Sequence, residues 1–310
     1  MSTRMEDVPA AGRLEEVRLP GLPSVSRLLV HAVTTAARER FAGSTRPDGL
    51  PAVRHTVAGV RVDLEQLTRF QHLAGGTVRD TLPSAYLHPV AFPVALSVLA
   101  RQDFPLPLPG LVHLANRVRQ LRAVDFAEPL EVSAWTENLR GHHAGTRVDV
   151  RTQLFAAGKP VWEGTSEYLA KGVFRPGLDT AARPAREEFT PPAPTARWRL
   201  GAEAGREYAM VSGDFNPIHL SAVSARLLGM KRSIAHGMYL ASRVMADIEA
   251  VAGDRHEWDI RFAAPVYLPA AVALRIEDVL QEGRWAASTF TAWGEHSRRL
   301  HFAGGVRALQ

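Results

Sequence analysis

Residues 212–220, "SGDFNPIHL", bring an aspartate, an asparagine, a proline and a histidine into close sequence. Asp214 and His219 are groups of different pKa at fixed spacing, and sharing one proton between two side chains requires such a pair. Pro217 sets its own φ near about −65° and keeps Asn216 out of the helical region, so the pair sits on a stiff turn. The same residue types also make ordinary turns, because Asp and Asn bond nearby backbone and a histidine can simply open a helix. Taken alone, the spacing leaves both readings open. A second feature follows in "SIAHGM", residues 233–238, where Gly237 opens an apolar stretch. A glycine there leaves a backbone N–H free at a helix N-terminus, a place that favours a developing oxyanion.

These residues need elements to hold them. In "SIAHGMYLASRVMADIEAVAG", Ile234, Met238, Ala241, Val244, Met245 and Ile248 recur at helical spacing, while Tyr239 and Leu240 add apolar surface on other sides. The pattern predicts a helix buried nearly all round. Period-two alternation follows: Trp258, Ile260 and Phe262 share one face, as do Val272, Leu274 and Ile276, and "WAASTFTAW" and "LHFAGGVRAL" continue it. One buried helix followed by successive strands predicts an α+β unit, an antiparallel sheet around a central helix.

The earlier half of the chain repeats this order. "LHPVAFPVALSVLA" (87–100) is its apolar helix, and "LANRVRQLRAVDFAEPLEVSAW" aligns with "EWDIRFAAPVYLPAAVALRI", setting Arg119 over Arg261 and Val132 over Leu274. "VDLEQLTRFQHLAG" (62–75) stands where "GREYAMVSGD" stands later, but it carries no acid–histidine pair. Between the halves, 175–197 holds Pro176, Pro184, Pro191, Pro192 and Pro194 with no apolar period, and reads as an extended linker. The expected division is a mobile N-terminal tail and one extra amphipathic helix (1–45), a first unit (46–174), the linker (175–197) and a second unit (198–310).

Composition narrows the function classes. The 310 residues are 46% hydrophobic and 22% charged, enough apolar material for a sizeable core. The net charge of +5 comes mostly from arginines scattered among acids, with 7% aromatics, which argues against a nucleic-acid surface and suits a phosphate-bearing ligand. With no cysteine there is neither a disulfide nor a thiolate metal site. No apolar run is long enough for a signal peptide or a membrane span, so the chain reads as cytoplasmic, with neither nucleic acid nor membrane as partner. His142 and His143 fall in a hairpin turn without an acidic partner, and His88 and His113 flank the first apolar helix as packing groups. Neither a metal nor a dissociable cofactor is expected.

The stretch "YAMVSGDFNPIHLSAVSARLLGMKRSIAHGM" (208–238) resembles the signature of the MaoC-like (R)-specific enoyl-thioester hydratases and 3-hydroxyacyl-thioester dehydratases, the hydratase 2 family. The match runs through Tyr208, Ser212 to Asp214, Asn216 to His219, Ala225, Gly229 and Ile234 to Met238. The earlier segment 80–118 is similar to the first half of double-hot-dog members, which keep the signature only in the second half. The resemblance implies a tandem double hot-dog: a degenerate N-terminal hot-dog without catalytic residues and a catalytic C-terminal one. "LHPVAF" here stands in place of "IAHGMY".

The resemblance also implies the chemistry. Water held between Asp214 and His219 adds across the 2,3-double bond of a trans-2-enoyl thioester, with Asn216 helping to hold the aspartate or the water. The Gly237 N–H would meet the thioester oxygen. Ser233, Ile234 and His236 belong to the substrate-binding stretch, His236 as a structural group, and Lys231 and Arg232 could meet phosphate. The substrate would be an acyl thioester of coenzyme A or of acyl carrier protein, and the chain a monomer or a homodimer. Two alternatives remain. One is an acyl-thioester binding subunit without catalysis. The other is a hot-dog thioesterase, which usually needs a carboxylate on or near the central helix; none appears there before Asp247.

Overall fold

A computed structural model describes residues 14–42, 46–180, 182–183, 185 and 188–309. The expected mobile tail, 1–13, lies outside the described residues. In chain order the first half holds β1 (Glu15–Arg18), α1 (Val25–Ala42), β2 (Val53–Val60), α2 (Leu64–Ala74), α3 (Leu87–Leu99), β3 (Leu111–Gln120), β4 (Leu130–His142), β5 (Gly145–Ala156) and β6 (Lys159–Lys171). The second half holds β7 (Ala196–Leu200), α4 (Ala204–Ser212), α5 (Pro217–Leu220), α6 (Ala222–Leu227), α7 (Gly237–Ala252), β8 (His256–Phe262), β9 (Ala270–Gln281), β10 (Arg284–Gly294) and β11 (Leu300–Ala308).

The strands join one 11-stranded sheet in the order β1-β2-β4-β5-β6-β3-β8-β11-β10-β9-β7. With β1 set aside, the order reads alike from either end, β2-β4-β5-β6-β3 meeting its counterpart β7-β9-β10-β11-β8. The seam is the antiparallel pair β3–β8, in register from Ala115 opposite Arg261 to Gln120 opposite His256. This is the tandem hot-dog that the resemblance implied. Each half packs one apolar helix on its own strands, α3 on β2, β4 and β5, and α7 on β8, β10 and β11. Leu87, Val94 and Val98 of α3 and Val244, Met245 and Ile248 of α7 are buried. Each such side chain contributes roughly 1.5–3 kcal/mol.

Smaller helices carry the two halves across one another. Asp63 caps α2 by accepting the Gln66 N–H, and Gly75 ends it in the left-handed region at φ 80°. Gly213 ends α4 in the same way at φ 74°. After these matching caps the halves diverge: the first continues with Gly76, close against Ala246, and the second with Asp214. Gln66 donates its side-chain amide to the Val211 carbonyl, which ties α2 to α4.

The structure differs from the sequence reading in three places. Ile234 does not belong to the central helix. α7 starts at Gly237, and residues 233–235 run extended against 266–268, with Ala235 N–H on the Val266 carbonyl and Leu268 N–H on the Ser233 carbonyl. An apolar residue in a short extended segment can fall by chance on a helical period. β7 begins at Ala196, before the expected end of the linker at 197. β1, which nothing in the sequence announced, pairs in parallel with β2. No helix among the described residues is long and apolar enough to cross a membrane.

Ser84 is a meeting point of both halves. Its carbonyl accepts the Trp162 indole N–H of β6 at 3.1 Å, its hydroxyl accepts the Trp258 indole N–H of β8 at 2.9 Å, and its own N–H donates to Glu249 of α7 at 2.6 Å. Burial pushes the Glu249 carboxyl up to about 7, against the pull of the Ser84 N–H and Arg79. The folded chain therefore keeps a proton that the unfolded chain releases near its ordinary value of 4.5. This contribution is complete at low pH and is lost as pH rises from the unfolded value through 7, by up to about 3 kcal/mol. Glu249→Gln keeps an acceptor for Ser84 but cannot ionise. Melting temperatures measured from pH 4.5 to 8.5 are expected to fall for wild type relative to the variant, and parallel curves would rule this out.

Candidate active site

The turn after α4 is built from the backbone outward. Asp214 leaves the left-handed Gly213 and donates its N–H to the Ser212 hydroxyl at 3.2 Å. Its carboxyl accepts the Asn216 N–H at 3.2 Å, closing an Asx turn. Asn216 is the N-cap of the one-turn α5, its side-chain oxygen facing the Ile218 N–H at 3.4 Å with Pro217 at the first helical position. Thus Asn216 reaches the aspartate through its backbone, and its side-chain oxygen serves the cap.

His219, at the end of that turn of helix, is buried and bonds Ile234 O through Nδ1 at 2.8 Å. A carbonyl can only accept, so Nδ1 carries the hydrogen and Nε2 keeps a lone pair. His236 is fixed by the same logic, with Nε2–H donated to the Asp214 carbonyl at 3.0 Å. The two imidazoles stack with centroids 3.6 Å apart and planes at 23°. Ligating atoms of Asp214, His219 and His236 all lie within 4.8 Å of one another, so the structure does bring the expected acid and histidine together.

Electrostatics draw the pair toward each other in proton affinity. Burial raises the Asp214 carboxyl, opposed by His219 and the Asn216 N–H, although the side chain keeps 24% of its exposure. Burial lowers the His219 imidazole, opposed by Asp214 and the Ile234 carbonyl. Groups this close titrate as a unit. His236 is held well below the usual histidine range by burial and by His219. The trio has the donor types of a metal site, and each ring commits one nitrogen to a carbonyl while its other nitrogen stays uncommitted.

Above the pair stands the start of α7. His236 holds the N-cap position without a side-chain bond to the helix, which leaves the first N–H groups open. A Cβ on Gly237 would come within 2.7 Å of the Phe262 ring, so close packing requires glycine here. Phe262 leads into the other half: its ring lies 5.3 Å from His113, which stacks on Tyr168 of β6 at 4.7 Å and on His88 at 6.0 Å. Burial lowers His113 to about 3 and His88 to about 4. Tyr168 is raised mainly by burial, with Asp214 adding to it. Sequence reasoning takes His88 and His113 as packing groups beside the first apolar helix and misses Tyr168, and nothing local ties them to the signature, because they sit on α3, β3 and β6 of the other half. Ser212 and Tyr208, by contrast, lay inside the signature.

The remaining expected residues take lesser positions. Ser233 is buried and Ile234 partly so; the Ser233 carbonyl serves Leu268 and the Ile234 carbonyl serves His219. Lys231 and Arg232 are exposed, with no carboxylate partner among the described residues. A cavity of about 110 Å³ lies elsewhere, lined by Arg79, Gln120, Glu249 and His256 at the C-terminal end of α7, and no signature residue borders it.

Comparison with known proteins shows which family the chain falls in. Residues 184–292 match the MaoC like domain. The chain is 31% identical over 240 residues to 3-hydroxyacyl-thioester dehydratase X of Mycobacterium tuberculosis, covering 77% of this chain and 85% of that protein. The crystal structure of HtdX from the same organism aligns with a TM-score of 0.72 at 28% identity, covering 83% of this chain and 100% of that one. Another M. tuberculosis protein, described as having a double hot-dog fold, aligns at TM-score 0.52 and 14% identity over 87% of this chain and 98% of that one, a likeness of fold alone. The chain therefore belongs to the MaoC-like dehydratase family, with a double hot-dog fold whose acid–histidine turn stands in the second half.

Proposed function

We propose that the protein is a hydro-lyase that reversibly hydrates trans-2-enoyl thioesters to (R)-3-hydroxyacyl thioesters. The observation that carries this reading is the Asp214–His219 pair, held on one turn with the Nδ1–H of His219 committed and its Nε2 lone pair available. A water between the two loses one proton to a member of the pair as its oxygen bonds to C3, and one proton is delivered to C2. Dehydration is the reverse. Charge that develops on the thioester oxygen is met by the Gly237 N–H at the uncapped start of α7, and losing one such donor typically costs about 3 kcal/mol of barrier.

The substrate is an acyl thioester of coenzyme A or acyl carrier protein, and Lys231 and Arg232 lie exposed beside the site where either carrier's phosphate could be met. We assign the first half, 46–174, the acyl pocket instead of a second catalytic centre. His113 supports this, because it reaches Phe262, the ring against Gly237, and Tyr168 stacks on His113. The test is loss or gain of the enoyl-thioester absorbance with short, medium and long trans-2-enoyl chains, each on coenzyme A and on acyl carrier protein. Turnover on either carrier, with a clear optimum of chain length, is expected. Silence across both series would defeat the hydro-lyase reading and favour a binding subunit.

A further inference from the structure

At the N-cap of its central helix each half buries an aromatic ring against a ring from an earlier helix, α2 in the first half and α4 in the second. In the first half Tyr86 meets Phe70 at 4.9 Å between centroids, and in the second His236 meets Tyr208 at the same 4.9 Å. Tyr86 is 2% exposed and His236 3%. Packing at this place therefore asks for a flat ring, and a benzene ring satisfies it. The second half instead buries an imidazole whose Nδ1 has no hydrogen-bond partner among the described residues. A buried acceptor without a partner is unfavourable, so packing does not explain the choice.

The rest of the ring accounts for it. Its Nε2–H ends on the Asp214 carbonyl at 3.0 Å, and its face lies on His219 at 3.6 Å. We propose that His236 is a positioning residue, whose imidazole ties the backbone of Asp214 to the start of α7 and backs His219 so that acid and base meet substrate in one geometry. This rests on the reading of Asp214 and His219 as the reacting pair. The ring works as a neutral group of one tautomer. The titratable groups facing it are Asp214 and His219 from the turn and Tyr208 from α4. A second proton on Nδ1 would find no acceptor there.

His236→Phe retains the flat ring and removes the N–H. Wild-type turnover on one enoyl thioester is the baseline, and its absence would count against the hydro-lyase reading rather than this one. The variant is expected to stay folded with KM within about threefold, while kcat falls about a hundredfold, the scale of a displaced catalytic group. His236→Gln, whose side-chain amide can reach the same carbonyl, should recover part of that loss. Full kcat in His236→Phe would overturn the proposal. Nitrogen NMR of the wild-type histidines tests it without any variant. His236 should show the neutral Nε2–H tautomer from pH 5.5 to 8.5, and either titration in that window or an Nδ1–H tautomer would overturn the proposal.

Discussion

Asp214→Asn is expected to lower kcat/KM for an enoyl thioester by about a thousandfold, about 4 kcal/mol of barrier, while leaving the protein at least as stable as wild type. Asparagine keeps an oxygen for the Asn216 N–H, so the turn survives. What disappears is the exchangeable proton. Stability should hold or rise because burial makes the Asp214 charge unfavourable, a strain that a neutral amide relieves. Steady-state kinetics beside thermal melts check both halves of this expectation. A folded variant that keeps a tenth of the activity would remove Asp214 from the chemistry, and one that melts below wild type would overturn the stability half.

Trp162→Ala should do the converse, costing about 3–5 kcal/mol of stability with little change in kcat well below the melting temperature. The indole is fully buried at 0% exposure and donates to the Ser84 carbonyl. A Cβ on its neighbour Gly164 would meet the indole at 2.4 Å, so the chain has been kept bare beside it to admit the ring. Alanine there leaves a void beside β6, a strand paired with β3 on one side and β5 on the other, where collapse is restricted. Urea titration followed by tryptophan fluorescence, with Trp258 and the other indoles still reporting, measures the loss. A cost below about 1 kcal/mol would mean that the surrounding core closes over the gap.

Much of the fold was legible because burial imposes a period. Val272 and Leu274 alternate with residues on the other face, and α7 reads as apolar on most sides, since sheet and helix must each hide a face. The seam was not legible: β3 and β8 are far apart in sequence, and pairing across such a distance leaves no local pattern. β1 is four residues long and mostly exposed, too short to carry a period. In the site, the acid–histidine spacing survived in the sequence because a turn of few residues fixes it. The division of labour inside that turn did not. Asn216 looked like a side chain for the aspartate, yet its oxygen serves a helix cap. His236 looked structural, and only its three-dimensional tie to the Asp214 carbonyl suggests more. Tyr168 goes unread and His113 reads only as a packing group, because both come from the other half and nothing in the signature points to them.

The matching glycine caps of α2 and α4, followed by Gly76 in one half and Asp214 in the other, bear on how such a molecule can change over generations. In a pair of identical chains, a codon change alters both copies of a position at once, so a residue needed for reaction cannot be lost from one side alone. Joined in one chain, the two positions are inherited separately. Position 76 can change with whatever packs against Ala246 and leave position 214 as it is. Within one chain the two tracts can therefore change independently, so one can remodel its interior without touching the six-residue turn of the other.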